Sequence, residues 1–153
     1  MVGMIVVKNE QQMQEFGERL GLLLKGGEVI ELIGDVGAGK TTLVRGLARG
    51  MGVSETVQSP SFTISRLYDA PHEQRLAHYD FYRLVDAGIM SDELSEMIGT
   101  RGTVVVIEWA DAVESVLPKD KLTITIAAPS PDVRELELAN GGQVSQQLEE
   151  QLI

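Results

Sequence analysis

The stretch GDVGAGKT, residues 34–41, carries the residue types that a phosphate-binding loop needs. It fits the pattern G-x-x-x-x-G-K-[ST] at every fixed position, and it follows a predicted strand and opens a predicted helix, which is the setting that such a loop requires. Gly34, Gly37 and Gly39 permit backbone angles that turn successive N–H groups inward. These amides and the helix N-terminus can then hold an anionic phosphate. The stretch therefore predicts a nucleotide-binding site.

The side chains at the end of this P-loop would have separate tasks. Lys40 would reach the β- and γ-phosphates as a point charge, the Thr41 hydroxyl would ligate Mg²⁺, and Thr42 can reach the α-phosphate. No NKxD motif for reading guanine occurs in the chain, which favours ATP/ADP over guanine nucleotides as the ligand. The predicted nucleotide contacts are Asp35, Val36, Gly37, Ala38, Gly39, Lys40, Thr41 and Thr42.

A second metal ligand is predicted at the end of a strand. Nucleotide-bound Mg²⁺ needs oxygen ligands besides the P-loop hydroxyl, and the usual source is an acid that ends an apolar strand beside the P-loop strand. In TVVVIEWAD (103–111), the only strongly apolar later strand ends at Glu108. We therefore predict that Glu108 shares the metal with Thr41. The neighbouring Trp109 is the single tryptophan, and residue type alone leaves core or interface packing and a functional position equally open.

Two further stretches carry polar groups suited to phosphate chemistry. In HYDFYRL (78–84), strand alternation places His78, Asp80 and Tyr82 on one face, where Asp80 could orient the attacking water or a metal-bound water. SPSFT (59–63) places three hydroxyls in a loop that could sense a γ-phosphate by becoming ordered around it. The plainer interpretations are a solvent-facing strand and a Ser/Pro turn.

The elements that must position these residues follow from hydrophobic periodicity and capping residues. Helices are predicted over about 10–24 after an Asn9 cap, 40–51, 91–99 and from NGGQ (140–143) to Leu152. Strands are predicted at 4–7, 28–33, 61–69, 75–82, 103–108, 122–128 and 133–139, with one solvent-exposed face on 61–69 and on 75–82. Interleaved helices and strands followed by hairpins predict an α/β fold whose parallel core has antiparallel additions. The length of 153 residues predicts one domain, 1–153.

Composition restricts the class of protein. The formal net charge is −10, and a strongly acidic chain repels nucleic acid, so we expect no direct binding of nucleic acid, RNA included, by this chain alone. No apolar run of about 18 residues predicts a membrane span, and the N-terminus lacks the pattern of a signal peptide. The absence of cysteine excludes disulfides and thiolate metal sites. A cytoplasmic protein is expected.

Four motifs occur together in a fixed order: GDVGAGKTTL (34–43), SPSFT, HYDFYRL and IEWAD (107–111). With them, nearly the whole chain resembles the TsaE family (formerly YjeE), small P-loop ATPases of bacterial tRNA threonylcarbamoyladenosine synthesis. The resemblance implies a three-layer P-loop NTPase fold and a weak, Mg-dependent ATPase that partner proteins stimulate. Those partners would be TsaB and TsaD, which carry the transferase chemistry on tRNAs reading codons that start with A.

The resemblance also implies roles for individual residues. Thr41 and Glu108 would bind Mg²⁺, Asp80 would lie on the γ-phosphate side, and Trp109 would be a functional residue close to the nucleotide. The predicted catalytic residues are Lys40, Asp80, Glu108 and Trp109.

Two other functions stay open from the residues. A small-molecule P-loop kinase needs cationic residues for its substrate and usually an Arg-rich lid, whereas the 13 Lys and Arg residues of this chain are spread thinly. A non-catalytic switch would bind nucleotide, change shape and dock a partner. Arg134, beside PSPD (129–132), could contact nucleotide, although pairing with Glu135 or Glu137 is the expected arrangement.

Overall fold

The computed structural model describes residues 3–60, 64–82 and 88–153. In chain order its elements are β1 (Gly3–Val7), α1 (Glu10–Leu23), β2 (Val29–Ile33), α2 (Lys40–Met51), β3 (Ser65–Ala70), β4 (Gln74–Asp80), α3 (Gly88–Ile98), β5 (Thr103–Glu108), a 3₁₀ helix (Ala110–Val116), β6 (Leu122–Ala127), β7 (Arg134–Asn140) and α4 (Gln143–Leu152). The predicted order of elements is confirmed, with α3 beginning at Gly88 rather than at residue 91 and β4 ending at Asp80 rather than at residue 82. Residues 61–63 of the predicted strand 61–69 lie outside the described residues.

Within the described residues, seven strands form one sheet in the order β1-β7-β6-β2-β5-β4-β3. The strands β6, β2, β5 and β4 pair in parallel, while β7 pairs antiparallel with both β6 and β1, and β3 pairs antiparallel with β4. This arrangement confirms the predicted parallel core with antiparallel additions. Because the carboxyl ends of parallel strands meet at one edge, the P-loop after β2 lies at the same edge as Asp80 and Glu108.

Helices cover both faces of the sheet and bury two hydrophobic clusters. Helices α1, α2 and α4 pack on one face through residues such as Phe16, Leu43 and Leu148. On the other face, α3 and the 3₁₀ helix bury Leu94 and Val113 against the sheet. The result is three layers, helix on sheet on helix, as expected for an α/β fold. Within the described ranges, none of the helices combines the length and apolar character required to cross a bilayer.

Strand β4 differs from its prediction. One solvent-exposed face was expected, yet Leu76 to Asp80 are all buried. The reason is position: β4 lies between β3 and β5, inside the sheet, and both faces of its carboxyl half are covered. The polar residues His78 and Asp80 that suggested a wet face are instead directed into the protein at the functional edge.

Helices α1 and α2 pack with their backbones in contact. Gly17 and Gly21 of α1 face Gly46 and Gly50 of α2, and a Cβ atom at any of these positions would overlap a backbone carbonyl oxygen of the opposite helix. Close approach of this kind requires residues without side chains. The P-loop helix is therefore held directly against α1.

Candidate nucleotide-binding site

The P-loop turns through two glycines in left-handed conformations. Gly37 has φ = 85° and Gly39 has φ = 106°, values that only glycine adopts at little cost. Gly34 does not share this positive φ. Space at Gly34 is limited, because a Cβ atom there would lie 3.1 Å from the carbonyl oxygen of Ile126 and 3.2 Å from Cβ of Ala38.

The N-terminus of α2 points its amides towards the loop. Among the described residues, no side chain caps this end, where Gly39 precedes Lys40. Thr41 and Thr42 lie half-buried in the first turn, and the Thr42 hydroxyl donates to Glu10 Oε1 at 3.4 Å. Uncapped amides together with the helix dipole favour an anion at this position.

Lys40 is folded back over the P-loop. Its side chain is only 6% exposed, and Nζ donates to the carbonyl oxygen of Gly34 at 2.7 Å. Glu108 Oε1 is 3.8 Å from Nζ, and the centroid of the Trp109 ring is 4.2 Å from it. Burial lowers the pKa of Lys40, while the charges of Glu108, Asp80 and Asp35 oppose that shift. The ammonium group is thus held at the point where phosphates would enter.

Glu108 ends β5 beside the P-loop strand, as predicted. It lies opposite Leu32 of β2 and is 3% exposed. Its second carboxylate oxygen, Oε2, is 2.6 Å from Nε2 of the fully buried His78. Sequence reasoning had placed His78 only on the same face as Asp80. Its i, i+2 spacing from an acid at a strand end was the available signal for a place in the site.

Asp80 is the neighbour of Glu108 across the strand pair. The two residues are in register at the carboxyl ends of β4 and β5, and both are buried. Asp80 Oδ1 accepts a hydrogen bond from the Tyr82 amide at 3.0 Å. Two carboxylates therefore lie together at the edge of the sheet that carries the P-loop.

Trp109 leaves the strand in a left-handed conformation. Its φ is 57° and its ψ is 54°, which is uncommon for a bulky residue and marks local strain. The indole lies over Lys40, and its ring centroid is 4.8 Å from that of Tyr82. Trp109 is half-buried and belongs to neither hydrophobic cluster of the described residues, so core packing does not account for its position.

One cavity brings most of the predicted site together. It has a volume of about 430 Å³ and is lined by Val36, Gly37, Gly39, Lys40, Thr41, Thr42, Ser59, Asp80, Tyr82, Glu108 and Trp109. Of the predicted contacts, Asp35 and Ala38 line a different depression, on the β6 side of the loop. Residues 61–63 of SPSFT and 83–84 of HYDFYRL lie outside the described residues.

A second cavity, of about 360 Å³, lies on the other side of the P-loop. It shares Gly37, Gly39 and Thr42 with the first cavity and is otherwise formed by Ala38 of the P-loop, the start of α1 and the turn before β7. The seven lining residues that the first cavity lacks are Asn9, Glu10, Met13, Ala38, Pro131, Asp132 and Arg134. Sequence reasoning missed this cavity because its walls come from distant parts of the chain.

Arg134 connects that turn to the P-loop. Its Nε donates to the carbonyl oxygen of Ala38 at 2.9 Å, and Nη1 donates to the backbone carbonyls of Ser130, Pro131 and Val133. The expected pairing with a glutamate of the same strand is wrong. Residues 135 and 137 are an odd number of positions away, so their side chains point to the opposite face of β7.

The donor set fits a nucleotide-bound Mg²⁺. Thr41, Asp80 and Glu108 offer hydroxyl and carboxylate oxygens to one cavity, and oxygen is the ligand type that Mg²⁺ takes. Magnesium bound to nucleotides needs only one or two protein ligands, because phosphates and water complete its coordination. Thr41 and Glu108 are the residues that would hold it.

Comparisons with known proteins identify the family of this chain. The family model described as "Threonylcarbamoyl adenosine biosynthesis protein TsaE" matches residues 7–136. A protein named tRNA threonylcarbamoyladenosine biosynthesis protein TsaE from Streptomyces coelicolor is 39% identical over 118 residues, covering 74% of this chain and 78% of that one. The protein of the same name from Bacillus subtilis is 35% identical over 146 residues, covering 94% and 89%.

A solved structure gives the same result for the fold. The crystal structure of YdiB from Bacillus subtilis superposes with a TM-score of 0.84 at 32% identity, covering 99% of this chain and 94% of that chain. The three-layer architecture, with a P-loop between β2 and α2, is the P-loop NTPase fold that was predicted. Sequence and structure thus lead to the same assignment: the chain belongs to the TsaE family.

Proposed function

We propose that this chain binds ATP with Mg²⁺, hydrolyses it, and acts with TsaB and TsaD in forming threonylcarbamoyladenosine on tRNA. The observation that carries the proposal is the cavity in which the P-loop, Lys40 and the carboxylates of Asp80 and Glu108 meet. The pathway is supported by the names of the TsaE relatives. With a net charge of −10, the chain would leave tRNA binding to its partners.

The two cavities suggest how the nucleotide lies. They share the P-loop residues Gly37, Gly39 and Thr42, so one ligand can pass from one cavity to the other across the loop. The terminal phosphate belongs with Lys40 and the carboxylates in the first cavity. The nucleoside then occupies the second, between the start of α1 and Arg134.

In hydrolysis, a water oxygen forms a bond to the γ-phosphorus, the bond to the bridging oxygen of ADP breaks, and ADP and phosphate leave. Lys40 would exchange its hydrogen bond with the Gly34 carbonyl for the β- and γ-phosphates and neutralise their charge. Asp80 lines the same cavity and would accept a hydrogen bond from the attacking water. Bound Mg²⁺, held by Thr41 and Glu108, would neutralise additional phosphate charge.

Exposed apolar groups at the rim of the first cavity support a partner that covers it. Val36 is 72% exposed and Tyr82 is 53% exposed. A partner that docked over the cavity would bury both side chains, which favours association. A cover would also exclude water and strengthen the electrostatic interactions around Lys40. Weak activity alone and faster turnover with TsaB–TsaD would follow.

The decisive test replaces the charge in the loop. Lys40→Ala should abolish release of phosphate from ATP, because the group that neutralises the β- and γ-phosphates is lost. Lys25→Ala, at an exposed lysine after α1, is the matched control and should turn over normally. Wild-type turnover by Lys40→Ala would remove the P-loop from the mechanism.

Product analysis separates this proposal from the other two functions. Phosphate release accelerated by TsaB–TsaD, and retention of TsaB–TsaD in a pulldown that differs between ATP and ADP, would support it. A phosphorylated small molecule would indicate a kinase, and binding without turnover would indicate a switch. The geometry disfavours a kinase for an anionic substrate, because Lys40 is the only Lys or Arg among the described residues that line the first cavity.

A further inference from the structure

We propose that His78 is a positioning residue for Glu108. By holding Oε2 of that carboxylate inside the sheet, it leaves Oε1 directed towards Lys40 and the nucleotide cavity. The inference rests on the proposed Mg-nucleotide function and adds a residue that acts through Glu108 without touching the ligand. His78 does not line the first cavity.

The contact is short and buried. His78 Nε2 and Glu108 Oε2 are 2.6 Å apart, His78 is 0% exposed and Glu108 is 3% exposed. Their strands, β4 and β5, are adjacent and parallel, so both ends of the contact are fixed by the sheet. Because Glu108 is buried, loss of this donor would leave one carboxylate oxygen without a hydrogen bond, which is unfavourable.

The imidazole meets Glu108 through Nε2. An ionised carboxylate can only accept a hydrogen bond, so the tautomer with the hydrogen on Nε2 fits this contact. Nδ1 is buried and has no hydrogen-bond partner among the residues that the structure describes. Among those residues, the hydrogen bonding of the imidazole is therefore directed to Glu108.

The same contact keeps Glu108 from forming a direct hydrogen bond with Lys40. Glu108 Oε1 is 3.8 Å from Nζ, an ion pair without a direct hydrogen bond. A carboxylate released from His78 could rotate about its side-chain bonds and bond the ammonium directly. It would then compete with the phosphates for Lys40 and leave the position that a metal ligand needs. His78 therefore supports both Lys40 and the metal site through one carboxylate.

The test compares two amides that differ in length. In His78→Gln the amide N–H can reach Glu108 much as imidazole Nε2 does, whereas in His78→Asn it falls short. We expect His78→Asn to raise the Mg²⁺ concentration needed for half-maximal ATP binding about 10-fold or more, the usual effect of losing a residue that orients a metal ligand. His78→Gln should remain within about 3-fold of wild type on the same scale. Nucleotide affinity measured in EDTA should change little in either variant.

A merely structural role predicts a different pattern. Both variants would then lose melting temperature alike and keep the wild-type Mg²⁺ requirement, and that result would overturn the proposal. If His78→Asn does not fold, His78→Leu, which has no hydrogen-bond donor, replaces it in a double-substitution cycle with Glu108→Gln. No additional effect of His78→Leu on the Mg²⁺ requirement in the Glu108→Gln background supports the proposal, and independent, additive effects contradict it.

The wild-type control separates this inference from the proposed function. Mg²⁺-dependent ATP binding by wild type, with an unchanged requirement in His78→Asn, would refute the role of His78 alone. ATP binding that shows no Mg²⁺ dependence in wild type would refute the proposed function, and the inference with it.

Discussion

Replacing Trp109 by phenylalanine tests whether the indole acts in the nucleotide site or only contributes to packing. The indole lies over Lys40, with 4.2 Å between Nζ and the ring centroid. A cation–π contact of this kind contributes about 0.5–2 kcal/mol and is strongest for tryptophan. Phenylalanine keeps a ring at the position and experiences the same left-handed backbone, so the substitution changes the contact with Lys40 more than the local strain.

The expected magnitudes differ for stability and activity. Trp109 is half-buried and outside both hydrophobic clusters, so the free energy of unfolding should fall by only about 1 kcal/mol, as in well-tolerated apolar exchanges. For a chain of this length that corresponds to roughly 2–4 °C in melting temperature. If poorer orientation of Lys40 raises the free energy of the transition state by about 1.4 kcal/mol, phosphate release becomes about 10-fold slower.

The assay uses the fact that Trp109 is the single tryptophan, so all indole emission of wild type reports on this site. Emission should change when Mg-ATP is added, because Lys40 turns from the ring to the phosphates, and Lys40→Ala should diminish the change. Melting, fluorescence and turnover are measured on one preparation. Three results together would refute the reasoning. They are a large drop in the melting temperature of Trp109→Phe, near-normal activity in its folded fraction, and wild-type tryptophan emission that does not change when nucleotide is added.

Three other predictions follow from single contacts. Glu108→Gln should raise the Mg²⁺ needed for tight ATP binding and leave binding in EDTA little changed; an unaltered Mg²⁺ titration would exclude it as a ligand. Gly46→Ala should lower the melting temperature, because its Cβ would overlap the Gln14 carbonyl oxygen. The resulting strain of about 1–3 kcal/mol or more outweighs the gain in helix propensity of up to about 1 kcal/mol. Gly99→Ala is the control and should leave the melting temperature nearly unchanged, because a Cβ atom has room there. Burial, aided by the charge of a nearby glutamate, raises the pKa of Tyr79 from 10.0 to about 12, so its contribution to stability is complete below pH 10 and is lost as pH rises through about 12. In urea unfolding, the free energy of unfolding of Tyr79→Phe should fall by roughly 2–3 kcal/mol less than that of wild type as pH rises through this range. Equal pH profiles of the two proteins would contradict the raised pKa of Tyr79.

Most of the fold was predictable because its signals are local. Asn9 caps α1 by accepting from the Gln12 amide at 2.8 Å, and the periodicity of α2 and β5 predicted both elements. The P-loop and Glu108 were predictable for a further reason. Parallel strands in this fold end at one edge of the sheet. The P-loop after β2 therefore predicts that the acid at the end of the adjacent strand, Glu108 of β5, lies beside it. The chemical roles of these residues stay predictions.

The misses concern contacts between distant segments. Alternation in β4 correctly placed His78 and Asp80 on one face, but it carries no information about what covers that face. Arg134 was assigned to neighbours in sequence, whereas its guanidinium contacts the carbonyl of Ala38, 96 residues away. The hydrogen bond from His78 to Glu108 likewise depends on the register between two strands 30 residues apart.

The glycine-lined contact between α1 and α2 has a consequence for signalling. At these four glycines the backbones touch, so sliding or rotation of one helix past the other would bring backbone atoms into collision, and we expect the two helices to move as one rigid body. One helix begins at the P-loop and the other begins at the wall of the second cavity. A nucleoside bound there would meet the same surface whether two or three phosphates follow it. The difference between ATP and ADP would then be detected only at the opposite side, by the ends of β4 and β5 and the ring of Trp109, where a partner can respond to it.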